Sequence, residues 1–145
     1  MIRSILVAID GSEPATRAAM LAADLAAKYG ATLHFVQVVP PLVVTKGLEE
    51  FAQVEKLDLP TSQEVASRHL LGPAESIAAK QGVRTVQTEV LAGDPAERLL
   101  DYVQDRKIDL VVLGRRGLGR VRGLLMGSVS LKLCSLADCP VLTVK

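Results

Sequence analysis

The sequence predicts a single α/β domain over residues 1–145, doubly wound, with a five-stranded parallel sheet in the order 3-2-1-4-5 and helices on both faces. Short apolar runs alternate with segments of helical period along the whole chain. The links between successive runs are long enough to hold a helix, which forces neighbouring strands to lie parallel, and right-handed crossovers then place helices on both sides. Hydrophobic residues make up 49% of the chain but aromatics only 3%, so the core is built from Ala, Val, Leu and Ile, as a sheet buried on both faces requires. A chain of 145 residues can bury one such core and is too short for two.

The first strand is the apolar run Ile5 to Ile9, closed by Asp10-Gly11-Ser12. Ser12 caps the helix that follows, Pro14 sits in its first turn, and Ala15, Ala18, Ala22, Leu25 and Ala26 recur at helical spacing before Gly30 ends it. Leu33 to Val39 is the second strand, stopped by Pro40-Pro41. Residues 42 to 60 match neither period, so an excursion is expected there with a short helical piece around Leu48 to Lys56. Ser62 to Gln81 suits a helix that Gly72-Pro73 kinks or breaks. Thr85 to Leu91 is the third strand, and Asp94 caps a helix with Pro95 at its first position, running to about Lys107. Leu110 to Leu113 is the fourth strand. A last helix from about Ser128 to Leu136 leads to the fifth strand, Val141 to Val144.

Composition narrows the function. A net charge of +1 gives no broad electrostatic footprint for nucleic acid or a membrane surface. The apolar stretch near Met1 is too short to span a bilayer and lacks a signal-peptide cleavage region, so a soluble, cytoplasmic protein is expected. Cys134 and Cys139 do not have the Cys-x-x-Cys spacing of redox or metal sites and read as plain thiols. His34 and His69 have no evident acidic partner in the sequence and are assigned no role.

In a sheet of order 3-2-1-4-5, the switch point lies between strands one and four, and ligands bind outside the carboxyl ends of the strands there. Those ends are Asp10 and Gly114. From Gly114 the chain carries glycines at 117, 119, 123 and 127. Glycines permit positive φ and let backbone N–H groups converge on an anion. Gly127-Ser128 also opens a helix, whose unpaired N–H groups favour phosphate, and Ser128 and Ser130 add hydroxyls. Arg115, Arg116, Arg120 and Arg122 make a local basic patch. Alternatively, these glycines are only turns and the arginines a solvated face. The spacing is neither the Rossmann fingerprint nor a P-loop, since no Gly-Lys-Ser or Gly-Lys-Thr occurs. The pattern points to phosphate without naming a nucleotide.

The chain resembles the universal stress protein family over its whole length. The likeness rests on Ile5-Leu-Val-Ala-Ile-Asp10-Gly-Ser12, Val36-Gln-Val38-Val39, Gly114-x-x-Gly117 followed after nine residues by Gly127-Ser128, and Cys139-Pro140-Val-Leu-Thr-Val144. The resemblance implies the ATP-binding branch, which keeps this glycine spacing. It further implies that Ala8, Ile9 and Asp10 lie beneath the ribose and phosphates, that Val38 meets the adenine, and that Leu113 and Gly114 continue the nucleoside wall. Gly117, Gly127, Ser128, Val129 and Ser130 would hold the phosphates, and Asp10 would help to place a magnesium or manganese ion. Arg116 stands where the family has His or Arg, whereas Arg115 adds a charge. For Val38 a plain core valine is the alternative, and for Asp10 a turn or capping aspartate.

No nucleophile with an oriented base can be named, so a regulatory, nucleotide-binding module with at most slow ATP hydrolysis is expected. A homodimer through the edge strand Val141 to Val144 is implied by the resemblance and suits an apolar strand at a sheet edge. The alternative is a dimeric interaction module without nucleotide. An adenylating enzyme would carry Ser-Gly-Gly-x-Asp-Ser after strand one, where this chain has Asp10-Gly11-Ser12-Glu13.

Overall fold

The computed structural model describes residues 1–39, 50, 53–54, 67–117 and 126–145. The elements are β1 (Ser4–Ala8), α1 (Glu13–Tyr29), β2 (Thr32–Val39), a π-helical turn (Ser67–Leu71), α2 (Gly72–Lys80), β3 (Val86–Ala92), α3 (Pro95–Asp105), β4 (Leu110–Gly114), α4 (Ser128–Leu136) and β5 (Val141–Val144). All four strand pairings are parallel and the order is β3-β2-β1-β4-β5, as expected.

Alternation along β1 divides the core. Ile5, Val7 and Ile9 point into a layer shared with the alanine face of α1 and with Leu71, Ala74 and Ala78. Leu6 and Ala8 point the other way, towards Ala96, Leu99 and Val103 of α3 and Leu133 of α4. Helices α1 and α2 thus cover one face, and α3 and α4 the other. The small side chains of α1 (Ala15, Ala18, Ala19, Ala22, Ala23 and Ala26 are all buried) let this helix lie close on the central strands.

The helix ends follow local chemistry. Ser12 accepts from the Ala15 N–H to cap α1, and Gly30 closes it in the left-handed region at φ 67. Asp94 accepts from the Glu97 N–H and Pro95 opens α3. That helix stops at Asp105, two residues before the expected end, because Lys107 adopts φ 51 and the Ile108 N–H turns back to the Val103 carbonyl at 3.0 Å. The expected interruption at Gly72-Pro73 is a change of helix type: the π-helical turn ends at Leu71 and α2 starts with Pro73 in its first turn, where proline's missing N–H costs nothing. Of the expected piece around Leu48 to Lys56, residues 50, 53 and 54 are described and are helical; the rest lies outside the described residues, as do Gly119, Arg120, Arg122 and Gly123.

Candidate functional site

At the carboxyl ends of β1 and β4, where the winding reverses, lies a cavity of about 250 Å³. Its floor is the end of β1, with Ala8, Ile9 and Asp10. On the β2 side it is walled by Val38, and on the β4 side by Leu113, Gly114 and Gly117. Gly127 and the first turn of α4, Ser128, Val129 and Ser130, close it. The residues that the sequence singled out are therefore neighbours in space, with one exception. Arg116 is not among the lining residues. At this point the backbone is held as an extension of β4, with the Arg115 N–H on the Val144 carbonyl at 2.6 Å and its carbonyl accepting from the Gly127 N–H at 2.8 Å, and it is Gly117 that faces the cavity.

Ala15, Val36, Pro95 and Leu99 complete the lining and were not singled out by sequence. Val36 was legible, since it lies two residues before Val38 and shares its face of the strand. Pro95 and Leu99 belong to the start of α3, which follows β3 at the same end of the sheet; the Asp94-Pro95 helix signal marked them, but not their inward reach.

Of the three glycines at the site, Gly114 and Gly117 shape it through lack of bulk. Positive φ among the described glycines occurs at Gly11, Gly30, Gly82 and Gly93, not at Gly114, Gly117 or Gly127, so conformational freedom is not what the loop uses at these three positions. A Cβ on Gly114 would lie 2.7 Å from the Ala15 nitrogen and 2.8 Å from the Pro14 carbonyl carbon, so β4 can meet the first turn of α1 only as glycine. A Cβ on Gly117 would lie 2.7 Å from Asp10 Oδ2. On Gly127 it would make ordinary contacts, 3.6 Å from the Gly117 nitrogen and 3.7 Å from Arg115 O.

The polar groups divide into structural and available ones. Asp10 Oδ1 accepts from the Ser12 N–H at 2.9 Å, so the turn role is real, while Oδ2 reaches across towards Gly117. Ser130 is buried and its Oγ donates to the Gly114 carbonyl at 2.8 Å. Its single proton therefore goes to the backbone, in contrast to the expected role as a donor to a bound anion. Ser128 is exposed at the helix start, and Gly127 caps α4 without a side-chain hydrogen bond, so the first N–H groups of the helix have no capping side chain over them. The positive end of the helix dipole and these N–H groups give one side of the cavity an affinity for anions. The β2 and α3 side, with Val36, Val38, Pro95 and Leu99, is apolar.

The family model described as the universal stress protein family matches residues 1–145. The chain belongs to this family. A universal stress protein of Thermus aquaticus, named for its place in the 3′ region of a QAH/OAS sulfhydrylase, is 38% identical over 145 residues, covering 100% of both chains. Among solved structures, the universal stress protein UspA of Lactobacillus plantarum superposes with a TM-score of 0.79 at 26% identity, covering 99% of this chain and 97% of that one. Two nucleotide complexes share the fold of this universal stress protein. One is a universal stress protein with cAMP (TM-score 0.70, 24% identity, 99% and 96% covered). The other is a family member of Arabidopsis thaliana with AMP bound (TM-score 0.66, 21% identity, 99% and 91% covered).

Proposed function

We propose that this universal stress protein binds ATP, or a close adenine nucleotide, in the cavity between β1 and β4, and acts as a nucleotide-dependent regulatory module of the stress response in the cytoplasm. The observation that carries the reading is the two-sided chemistry of one cavity. Apolar Val36, Val38, Pro95 and Leu99 suit a flat base, while Gly117 and the uncapped first turn of α4 offer backbone N–H groups to phosphates. The cAMP and AMP complexes on the same fold support an adenine nucleotide as the ligand.

Among the described residues Asp10 is the one carboxylate lining the cavity, and no group of three or more His, Cys, Asp or Glu able to hold a metal occurs among them. A magnesium or manganese ion would fit as a companion of the nucleotide; Asp10 would be the residue to hold it, and it would supply neutralisation of phosphate charge. The protein's own groups orient and desolvate the nucleotide. With one Asp10 oxygen engaged by the Ser12 N–H and no histidine in the lining, a base poised on a water is not evident among the described residues, which favours retention over turnover.

Dimerisation through β5 belongs to the same proposal. β5 is an edge of the sheet, Leu142 on it is 38% exposed, and Leu131 and Leu136 on adjoining α4 are 57% and 61% exposed. This apolar edge is also what favours the second reading, a dimeric interaction module in which the cavity carries no nucleotide.

Calorimetric titration of nucleotide-stripped protein with Mg-ATP separates the two. Saturable binding that disappears in Gly127→Val, while circular dichroism is unchanged, supports the first reading, because a side chain at 127 covers the Gly117 N–H. No heat from the unmodified protein at millimolar nucleotide would leave the interaction module as the better account.

A further inference from the structure

The five strands are parallel, so the helices return to the sheet at the amino ends of the strands, opposite the cavity between β1 and β4. Residues 28–31, 80–85, 105–109 and 137–140 make these returns. Residues 1–3 lead into β1 beside them, where the Arg3 carbonyl accepts from the Thr32 N–H at 2.8 Å. Together these segments carry six cations, Arg3, Lys28, Lys80, Arg84, Arg106 and Lys107, against three acids, Asp105, Asp109 and Asp138. A chain of net charge +1 therefore concentrates a surplus of three positive charges at one end of its sheet.

Local pairing leaves most of that charge unused. Arg106 bonds Glu89 at 3.2 Å, and Asp109 Oδ2 is taken up by the Arg3 and Ser4 N–H groups at 2.8 and 3.0 Å. Arg3, Lys28, Lys80, Arg84 and Lys107 are exposed and belong to no salt bridge among the described residues. Two of them, Lys28 and Arg84, line one cleft of about 270 Å³, which opens between the last turn of α1, with Tyr29 and Gly30, and Gly82 ahead of β3. The carbonyl end of α1 borders the same cleft, so an anion there is taken by the side chains that reach over it, the Arg84 fork and the Lys28 ammonium, and not by backbone.

We propose that this end of the sheet docks an acidic segment of a partner protein, with a Glu or Asp carboxylate seated in the cleft that Lys28 and Arg84 line. Charge complementarity selects the partner. A concave cleft receives a projecting side chain, which the flat surface of a bilayer does not offer. Of the described aromatic side chains only Tyr29 is exposed, since Phe35 and Tyr102 are buried, so the described residues give no platform on which successive bases of a nucleic acid could stack. The cleft shares no lining residue with the cavity between β1 and β4, and the proposal does not depend on the nucleotide reading.

Fluorescence anisotropy of a labelled hexaglutamate peptide tests the docking. Saturable binding is expected in about 50 mM salt, weakening steeply towards about 300 mM. Lys28→Gln combined with Arg84→Gln removes two positive charges at exposed positions and is expected to weaken the peptide about fivefold or more. Lys132→Glu, at an exposed position of α4, changes the net charge by the same amount and is expected to stay within about twofold of the unmodified protein. Absence of binding by the unmodified protein at millimolar peptide overturns the proposal. An equal loss in the two variants also overturns it, because attraction would then follow net charge and not the cleft. Tighter binding to phosphatidylserine vesicles or to single-stranded RNA than to the peptide at equal salt, lost in the double variant, overturns the choice of an acidic protein segment.

Discussion

The Ser130 hydroxyl donates to the Gly114 carbonyl at 2.8 Å, joining the first turn of α4 to the end of β4 at the edge of the cavity. The loop between them is also closed through backbone, by the Gly127 N–H on Arg115 O at 2.8 Å. Together these bonds set the angle at which the helix N-terminus meets the strand end. Ser130 is therefore a positioning residue, and Ser128, exposed one turn edge away, is the hydroxyl with a free reach.

Removal of that bond leaves a part-buried carbonyl without its donor. Ser130→Ala is expected to lower the unfolding free energy by about 1–2 kcal/mol in urea titration. Ser128→Ala, on an exposed position, is expected to stay within about 0.5 kcal/mol of the unmodified protein. Equal stability losses in the two variants would contradict the positioning role.

The three site glycines are expected to respond in a fixed order to alanine. Gly114→Ala brings a methyl to 2.7 Å from the Ala15 nitrogen, a backbone atom at a helix start that cannot yield cheaply. A loss of about 3 kcal/mol or more is expected there. Gly117→Ala meets only the tip of Asp10, which can rotate, so stability falls less while nucleotide affinity falls because the carboxylate is displaced. Gly127→Ala makes contacts of 3.6 Å or longer and is expected to be close to neutral for folding. Denaturation midpoints of the three variants check the order.

Much of this site was legible before any coordinates. Apolar runs ending in Asp10 and Gly114 located the switch point, because strand alternation and crossover length are global patterns that survive errors of a residue at each boundary. What was not legible depends on side-chain direction and close approach. Nothing in the order of residues says that Gly114 serves contact with Ala15 rather than a turn, or that the Ser130 proton goes to backbone while Ser128 stays exposed. The resemblance put Arg116 where the family has His or Arg, and Arg116 is not among the lining residues of the cavity; beside the backbone bonds of Arg115 it is Gly117 that faces it. Likewise Gly72-Pro73 signalled a break, and only the backbone shows it as a π-to-α junction.

Behind the cavity, His34 on β2 is buried, with its Nδ1 3.0 Å from the Tyr102 hydroxyl of α3. Arg106 lies over the Tyr102 ring at 5.4 Å and pairs with Glu89 at 3.2 Å. Burial first, and the Arg106 charge second, hold the His34 pKa below its ordinary 6.5, with Glu89 opposing. The folded state therefore binds this proton less readily than the unfolded chain, and stability present above pH 6.5 is lost as pH falls below it. Urea midpoints are expected to drop between about pH 7.5 and about pH 5.5, and His34→Gln to flatten that drop. An unchanged slope in the variant would remove His34 as its source.

The exposed edge gives the last test. If β5 pairs with its counterpart in a second copy, Leu142 passes from 38% exposure into an interface together with Leu131 and Leu136, and a charge at 142 must be desolvated on association. Leu142→Lys is thus expected to sediment as a monomer where the unmodified protein sediments as a dimer at the concentration used for calorimetry. Because the variant lies on β5, away from the lining of the cavity, its nucleotide titration should keep the unmodified midpoint. A monomeric unmodified protein would remove the edge-strand dimer from the proposal, while a midpoint that moved with the oligomeric state would tie the cavity to assembly.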